Sequence, residues 1–463
     1  MTTPNSLEIR TNWRNIVLWT TYDSGNTVFS MGIVSMTVLQ YFELLGMQSG
    51  HSFGFSHFIG STAVSISNVI VAIAMPFLGA YSDRAGSRKP FVILFGSLCI
   101  LFTGAVFIFT NFLLGIVLFI AANVTYQWGN LFYDAMLPYI SNKREIGRVS
   151  SLGIAIGYFG SLAALVLAYF FSEAIFGEHT DPDDVGETVA KADIVLGDLQ
   201  GMWILSAIGF LLIAIPFLLC HEQTQERKVS FRVLFSDSVH ELLDTAKEIR
   251  RYPDMLKFII AYFIISDAVN TVILVMKDVG QNALDMGTSE VLILLGIGVV
   301  ASIFVTYFYG PIVDKKGPKF TWLAVVGPAW LFALWCFLVA DLGLMPKAVI
   351  YIGAFAVGSS MGGTWVVGRQ YVIELAPSDK VAQYFGFQKL AGKVSASIGP
   401  ILFSAALNLG FFLGFNTWHA YRLAIFSLFL FFIVGYLIFI IIKDYHPNYL
   451  QGERGPFIYN KEE

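Results

Sequence analysis

The chain has 463 residues, of which 56% are hydrophobic, 15% aromatic and only 13% charged, with a net charge of −4. A soluble globular chain carries nearer a quarter charged residues, so these proportions exclude one, and they exclude disordered, collagen-like and disulfide-rich chains as well. What remains is an all-α membrane protein of many spans, with the lipid bilayer as its surroundings. No concentrated basic patch accompanies the charge, which predicts no nucleic-acid partner. Cys99, Cys220 and Cys336 lie far apart in apolar stretches, so no metal site or disulfide framework is expected.

Apolar runs of about twenty residues, enough to cross ~30 Å of hydrocarbon, occur at 13–45, 57–80, 90–110, 112–137, 149–172 and 199–220. Six more follow at 255–280, 289–313, 320–340, 347–372, 383–408 and 418–442. The first lacks a small-residue cleavage site and reads as a span, not a removable signal. Lys and Arg crowd the connections on one side, as at Arg88, Lys89, Lys143, Arg148, Lys315 and Lys319. The other side holds only Lys191, Lys277, Lys347 and Arg422. The positive-inside bias therefore predicts both termini in the cytoplasm.

Two loops are long. The stretch 221–254 divides the chain into a first bundle (1–220) and a second (255–463). Within it Phe235, Val239, Leu242, Leu243, Ala246 and Ile249 recur at helical spacing among charges, which predicts an amphipathic surface helix. The other, 173–198, is acidic; its spacing fits no calcium loop, and it is expected to be solvated.

A duplication links the halves. Gly79-x-x-x-Asp83-Arg84-x-Gly86-x-Arg88-Lys89 follows the second span, and Gly310-x-x-x-Asp314-Lys315-x-Gly317-x-Lys319 follows the eighth. Asp23-x-x-Asn26-Thr27-Val28 in the first span is echoed by Asp267-x-x-Asn270-Thr271-Val272 in the seventh. Six spans separate each pair, so equivalent spans point the same way, as in a parallel repeat about an axis along the membrane normal.

The repeated loop resembles the signature loop of the major facilitator superfamily. Tyr22-Asp23-Ser24-Gly25-Asn26, Phe132-Tyr133-Asp134-Ala135-Met136-Leu137-Pro138, Gly147-Arg148-Val149-Ser150 and Phe385-Gly386-Phe387-Gln388-Lys389-Leu390-Ala391-Gly392-Lys393 resemble one branch. That branch is the vacuolar amino-acid effluxer family associated with fungal autophagy, with its prokaryotic relatives. Ser24-Gly25 stands where that family has Trp-Ala. The resemblance implies two six-helix bundles, and a secondary transporter that moves an amino acid by alternating access. It also implies that the loop at Gly79, Asp83, Arg84, Gly86, Arg88 and, in the second copy, Asp314 latches the halves when the cavity opens outward. The fungal relatives suggest a vacuole, while the compact chain favours a prokaryotic plasma membrane.

The residues themselves supply the candidate pathway. At ~1.5 Å rise per residue, Asp23 and Asp267 lie roughly 15 and 18 Å into their spans. A carboxylate there costs ~2.5–3.5 kcal/mol, which points to substrate or proton movement; helix pairing is the plainer alternative. Asn26 and Asn270 share their faces. Asn123, Gln127 and Asn130 form a polar stripe with Asp134 on one face of the fourth span, which must line a cavity or a polar interface. Lys389 is explained by snorkelling. Lys393 sits deeper and is expected to pair with a carboxylate or with a substrate carboxyl group.

No histidine lies in mid-span, so a coupling proton would travel on carboxylates. There is no nucleotide loop, HExxH, GxSxG or redox motif, which argues against an enzyme and against any cofactor. The expected partner is a small solute, with protons or another coupling cation, carried by a monomer. A sugar–cation symporter is the runner-up, since Tyr, Trp and amide side chains also suit sugar rings. A non-transporting receptor or scaffold on the same fold is the alternative from another class. If the first, fourth, seventh, tenth and eleventh spans line one cavity, Asn123→Cys and Gln127→Cys should both react with a water-soluble thiol reagent and be protected by substrate.

Overall fold

Hydrocarbon offers an unpaired N–H or C=O no partner, so a chain this apolar must satisfy its backbone within helices. The computed structural model does so, and describes residues 11–108, 111–171, 185–223, 252–340, 348–377, 380–395 and 398–451. Every element among them is helical. In the first half these are α1 (Trp13–Gln48, with a π-helical stretch at Ser30–Thr37), α2 (Phe53–Ala85), α3 (Lys89–Ile108), α4 (Phe112–Ile140), α5 (Ile146–Phe170) and α6 (Val185–Ala214). The second half opens with α7 (Pro253–Asp278).

A single apolar run of 51 residues, Ser289–Val339, follows. It is too long for one crossing and is divided at Gly317, where φ is 81°. That gives α8 up to residue 316 and α9 from residue 318. Then come α10 (Val349–Leu375), α11 (Val381–Ser395 and Ile398–Phe412), α12 (Thr417–Ile440) and the short α13 (His446–Leu450). The twelve expected crossings are therefore present, in two six-helix bundles. The amphipathic stretch at 235–249 lies outside the described residues, as do 173–184 of the acidic loop and the side chain of Arg84; the rest of that loop, 185–198, differs from expectation in being helical, as the start of α6.

Helix ends follow their local chemistry. Side chains of Asn12, Ser52, Asn111 and Asn416 accept from backbone N–H groups two or three residues on, satisfying donors that a helix start leaves free. Gly86 ends α2 at φ 74°, a left-handed position that a side chain would strain.

Between helices, the structure depends on small residues that let backbones approach. Gly160 of α5 packs directly on the Ser24 carbonyl of α1, and Gly358 of α10 on Gly298 of α8. Such contacts also join the two halves: Gly386 of α11 packs on Met75 and Pro76 of α2, and others lie on the face carrying Trp13, the ends of α6 and α12, and the repeated loops. There Gly79 packs on Ala382 and Gln383, and Gly147 and Gly310 pack against each other. That face also carries Arg88, Arg148 and Lys319, and is called the basic face below.

Gly160→Ala forces a methyl group into a backbone carbonyl that no rotamer change can move, a class of overpacking worth ~1–3 kcal/mol. Gly296 has open space around its Cα. In detergent, Gly160→Ala should lower the thermal midpoint by several degrees, while Gly296→Ala leaves it unchanged or slightly higher.

Candidate functional site: the contacts between the halves

On the basic face, the Asp83 carboxylate accepts from the backbone N–H groups of Ala382 (3.1 Å) and Gln383 (2.9 Å), at the start of α11 in the other half. A carboxylate at a helix N-terminus meets both free donors and the positive end of the helix dipole. Its third partner is Arg88 Nη2 at 3.2 Å. Arg88 is 2% exposed. Its guanidinium stacks 3.8 Å over the Tyr139 ring and its Nη1 lies 3.7 Å from Glu222 Oε1. Glu222 in turn accepts from the backbone N–H groups of Arg88 (2.8 Å) and Lys89 (2.9 Å), at the start of α3.

The second copy repeats the arrangement with the halves exchanged. Asp314 accepts from the N–H groups of Gly147 (2.7 Å) and Arg148 (3.2 Å), at the start of α5. Arg148 Nε lies 3.4 Å from its other oxygen. The duplicated Asp is therefore used twice, each time on a helix start of the opposite bundle. Gly79 and Gly310 are small because each acid must be brought onto the facing backbone.

Deeper, one carboxylate holds two cations from the other half. Asp134 of α4 takes Arg369 Nη2 of α10 at 2.7 Å and Lys389 Nζ of α11 at 2.5 Å. Sequence reasoning placed Asp134 on the polar stripe but assigned Lys389 to snorkelling; the structure corrects that, since Lys389 turns inward. The signal was available: Asp134, Arg369 and Lys389 all lie within spans, and buried charges there need one another. The Arg369 Nη1 atom is buried with no partner.

The pathway candidates separate into three groups. Asn26 donates to Asn130 Oδ1 at 2.5 Å, joining α1 to α4. Asn123 differs from expectation, being 1% exposed and donating to Ser67 of α2 at 2.7 Å, so its end of the stripe serves packing. Gln127 and Asn270 are half-buried.

Asp23 and Asp267 take matching places but meet different surroundings. Asp267 is fully buried and its Oδ1 accepts from Gly399 N at 2.9 Å, at the start of Ile398–Phe412. Asp23 faces Gly157, whose Cα lies inside the continuous helix α5 and has no spare N–H to give. Among the described residues the Asp23 carboxylate is half-buried with no hydrogen bond or ion pair, and the Lys393 ammonium is in the same condition.

Twelve crossings in two bundles that exchange acid-to-helix contacts define a transporter of the major facilitator type. The comparisons agree. The whole fold superposes on the proton:xylose symporter XylE with a TM-score of 0.67 at 14% identity, over 95% of this chain and 97% of that one. The fucose:proton symporter FucP of E. coli gives 0.63 at 12%, over 93% and 98%. In sequence, a Bacillus subtilis protein described as an uncharacterized MFS-type transporter, YxiO, is 24% identical over 92% of this chain and 94% of its own. Autophagy-related protein 22 of Kluyveromyces lactis is 23% identical over 69% of this chain and 65% of its own. The family described as "Vacuole effluxer Atg22 like" matches residues 59–446, and the chain belongs to it.

Three outcomes follow from the geometry. Asp83→Asn and Asp314→Asn each remove the charge from a helix start, a contact worth up to ~2 kcal/mol when partly buried. Each should shift the population several-fold toward opening on the basic face, as read by a distance across that face. Asp134→Asn strands two cations, at ~3–5 kcal/mol for a broken buried pair. Its thermal midpoint should fall sharply and recover in part in Asp134→Asn/Arg369→Gln. Finally, Gln127→Cys should react with a water-soluble thiol reagent while Asn123→Cys, closed behind Ser67, stays unmodified.

Proposed function

We propose that this transporter carries a small zwitterion, an amino acid first among them, by alternating access. Among the described residues of the spans, Asp134 has Arg369 and Lys389, and Asp267 has the Gly399 N–H; Asp23 and Lys393 make no hydrogen bond or ion pair, Arg369 and Lys389 acting on Asp23 only at longer range. That pair of unmatched opposite charges carries the reading. Asp23 on α1 would take the ammonium group and Lys393 on α11 the carboxylate, one from each bundle. A solute that neutralises both charges binds the two halves together in the membrane interior. Asp83 and Asp314 serve as the gate on the basic face, which the distribution of Lys and Arg assigns to the cytoplasm. The family's description as effluxers favours export from the compartment on one side of the membrane. A coupling proton or other cation would use the same acids.

Purified protein in liposomes, offered a panel of amino acids and sugars with and without a pH gradient, tests this directly. Amino acids should exchange across the membrane and sugars should not. A charge-assisted contact is worth ~1.5–3 kcal/mol, so Asp23→Asn and Lys393→Met should each weaken uptake roughly ten- to a hundred-fold with an unchanged thermal midpoint. Flux of a sugar alone, or normal amino-acid flux in both variants, would overturn the assignment.

A further inference from the structure

The segments that leave the last helix of each bundle are built alike on the basic face. After α6, Lys89 Nζ donates to the Leu218 carbonyl at 2.7 Å; after α12, Lys319 Nζ donates to the Ile440 carbonyl at 3.0 Å. In the first half, the brace on the repeated loop is Glu222 with Arg88, a guanidinium that keeps its charge throughout the physiological range. In the second half Lys319 stands where the repeat has Arg88 and reaches the Ile440 carbonyl, and the loop is braced instead by His446 of α13. Its Nδ1 lies 2.7 Å from Glu374 Oε1 at the end of α10, and its Nε2 lies 3.2 Å from the Asp314 carbonyl oxygen.

Both partners of the ring are acceptors. A carbonyl oxygen can only accept, and Glu374 Oε1 already accepts from Gln370 Nε2 at 2.8 Å. A neutral imidazole has one N–H, whereas the imidazolium has two. With Glu374 ionised, the two contacts can therefore be made together only by the charged ring. The ring also packs on Gly317, where an added Cβ would lie 2.6 Å from His446 Cβ. The loop thus threaded beneath α13 is the one whose Asp314 carboxylate holds α5.

Of the surrounding charges, Glu374 and Asp444 favour the same form. Glu374 and the Tyr371 hydroxyl come from α10, and Lys443 and Asp444 from the segment itself. From α7 comes Asp254, which takes the Tyr445 hydroxyl at 2.6 Å and Lys257 at 2.9 Å. The Asp314 carboxylate is turned away onto Gly147 and Arg148. Burial lowers the pKa of the ring, but the hydrogen bond and charge of Glu374 more than offset it, and the pKa stands above its ordinary value.

We infer that His446 is a proton-sensitive brace of the second gate loop: charged, it ties the end of α10 to the Asp314 loop and keeps the halves closed on the basic face, and neutral, it surrenders one of its two contacts and eases opening there. A group with a raised pKa stabilises its state fully below its ordinary value, near ~6.5 for histidine. The effect is lost as pH rises through the raised one. With the basic face in the cytoplasm, an alkaline cytoplasm favours opening inward. The inference rests on the gate reading of Asp314, and is tested by distance, so a wrong substrate assignment leaves it standing.

Spin labels on Arg144→Cys and Lys316→Cys, exposed on opposite sides of the α5–α8 contact, report the gap in the full chain in nanodiscs. Between about pH 6 and pH 8.5, a range bracketing the histidine titration, the open fraction should rise at least threefold. In His446→Gln it should be high and flat across that range. In Glu374→Gln the response should move to lower pH, and the His446 ring signal in the NMR spectrum should titrate closer to its ordinary value. Should His446→Gln fail to fold, the wild-type and Glu374→Gln titrations decide alone. A pH response that survives in His446→Gln, a wild-type gap indifferent to pH, or a ring that titrates at or below its ordinary value overturns the inference.

Discussion

A carboxylate laid on the start of a helix in the opposite bundle is the contact on which the rest of this structure depends. Asp83 on α11 and Asp314 on α5 are two instances of one interaction, related by the duplication. It is well suited to a joint that must open. The donors are backbone N–H groups at a helix terminus on the rim, where water can replace the carboxylate when the halves part. At Asp83 no ion pair crosses between the halves, so opening exposes one carboxylate, while at Asp314 the crossing pair with the half-exposed Arg148 adds a second charge. Glycine at 79, 147 and 310 supplies the close approach that makes the contact reachable.

Away from the rim the halves are joined differently. Asp134 with Arg369 and Lys389 is buried, so its separation carries a desolvation cost in both directions. Such a cluster resists opening when the interior is empty. On the proposed reading, a solute that bridged Asp23 and Lys393 would compensate by linking the bundles elsewhere. The difference between a wet rim contact and a dry interior one gives the two parts of the interface distinct sensitivities, the rim to charge and pH, the interior to occupancy.

The duplication is not exact, and its departures are informative. Asp23 and Asp267 occupy equivalent places, yet one finds a backbone donor and the other does not. The reason lies in the facing helix: Gly399 stands at the start of Ile398–Phe412 with its N–H available, while Gly157 stands inside α5 with its N–H already used. The braces on the two loops also differ, Arg88 with Glu222 in one half and His446 with Glu374 in the other.

Much of this was legible without coordinates. The apolar runs determined twelve crossings, because hydrocarbon thickness sets helix length and an unpaired backbone is not tolerated in lipid. The offset repeats of Gly79-x-x-x-Asp83 and Asp23-x-x-Asn26 determined the two-bundle symmetry, and the motif residues determined the family. Sequence periodicity also put Asn123, Gln127, Asn130 and Asp134 on one face, since spacing along a helix fixes direction around its axis. It did not say what each would meet. That Asn123 turns to Ser67, that Lys389 finds Asp134, and that one oxygen of Asp267 meets a backbone N–H while Asp23 meets none were decided only by the packing of helices far apart in the chain. A hydrogen bond between residues 132 or 300 positions apart leaves no periodic trace, because its geometry belongs to the arrangement of the helices and not to either one of them.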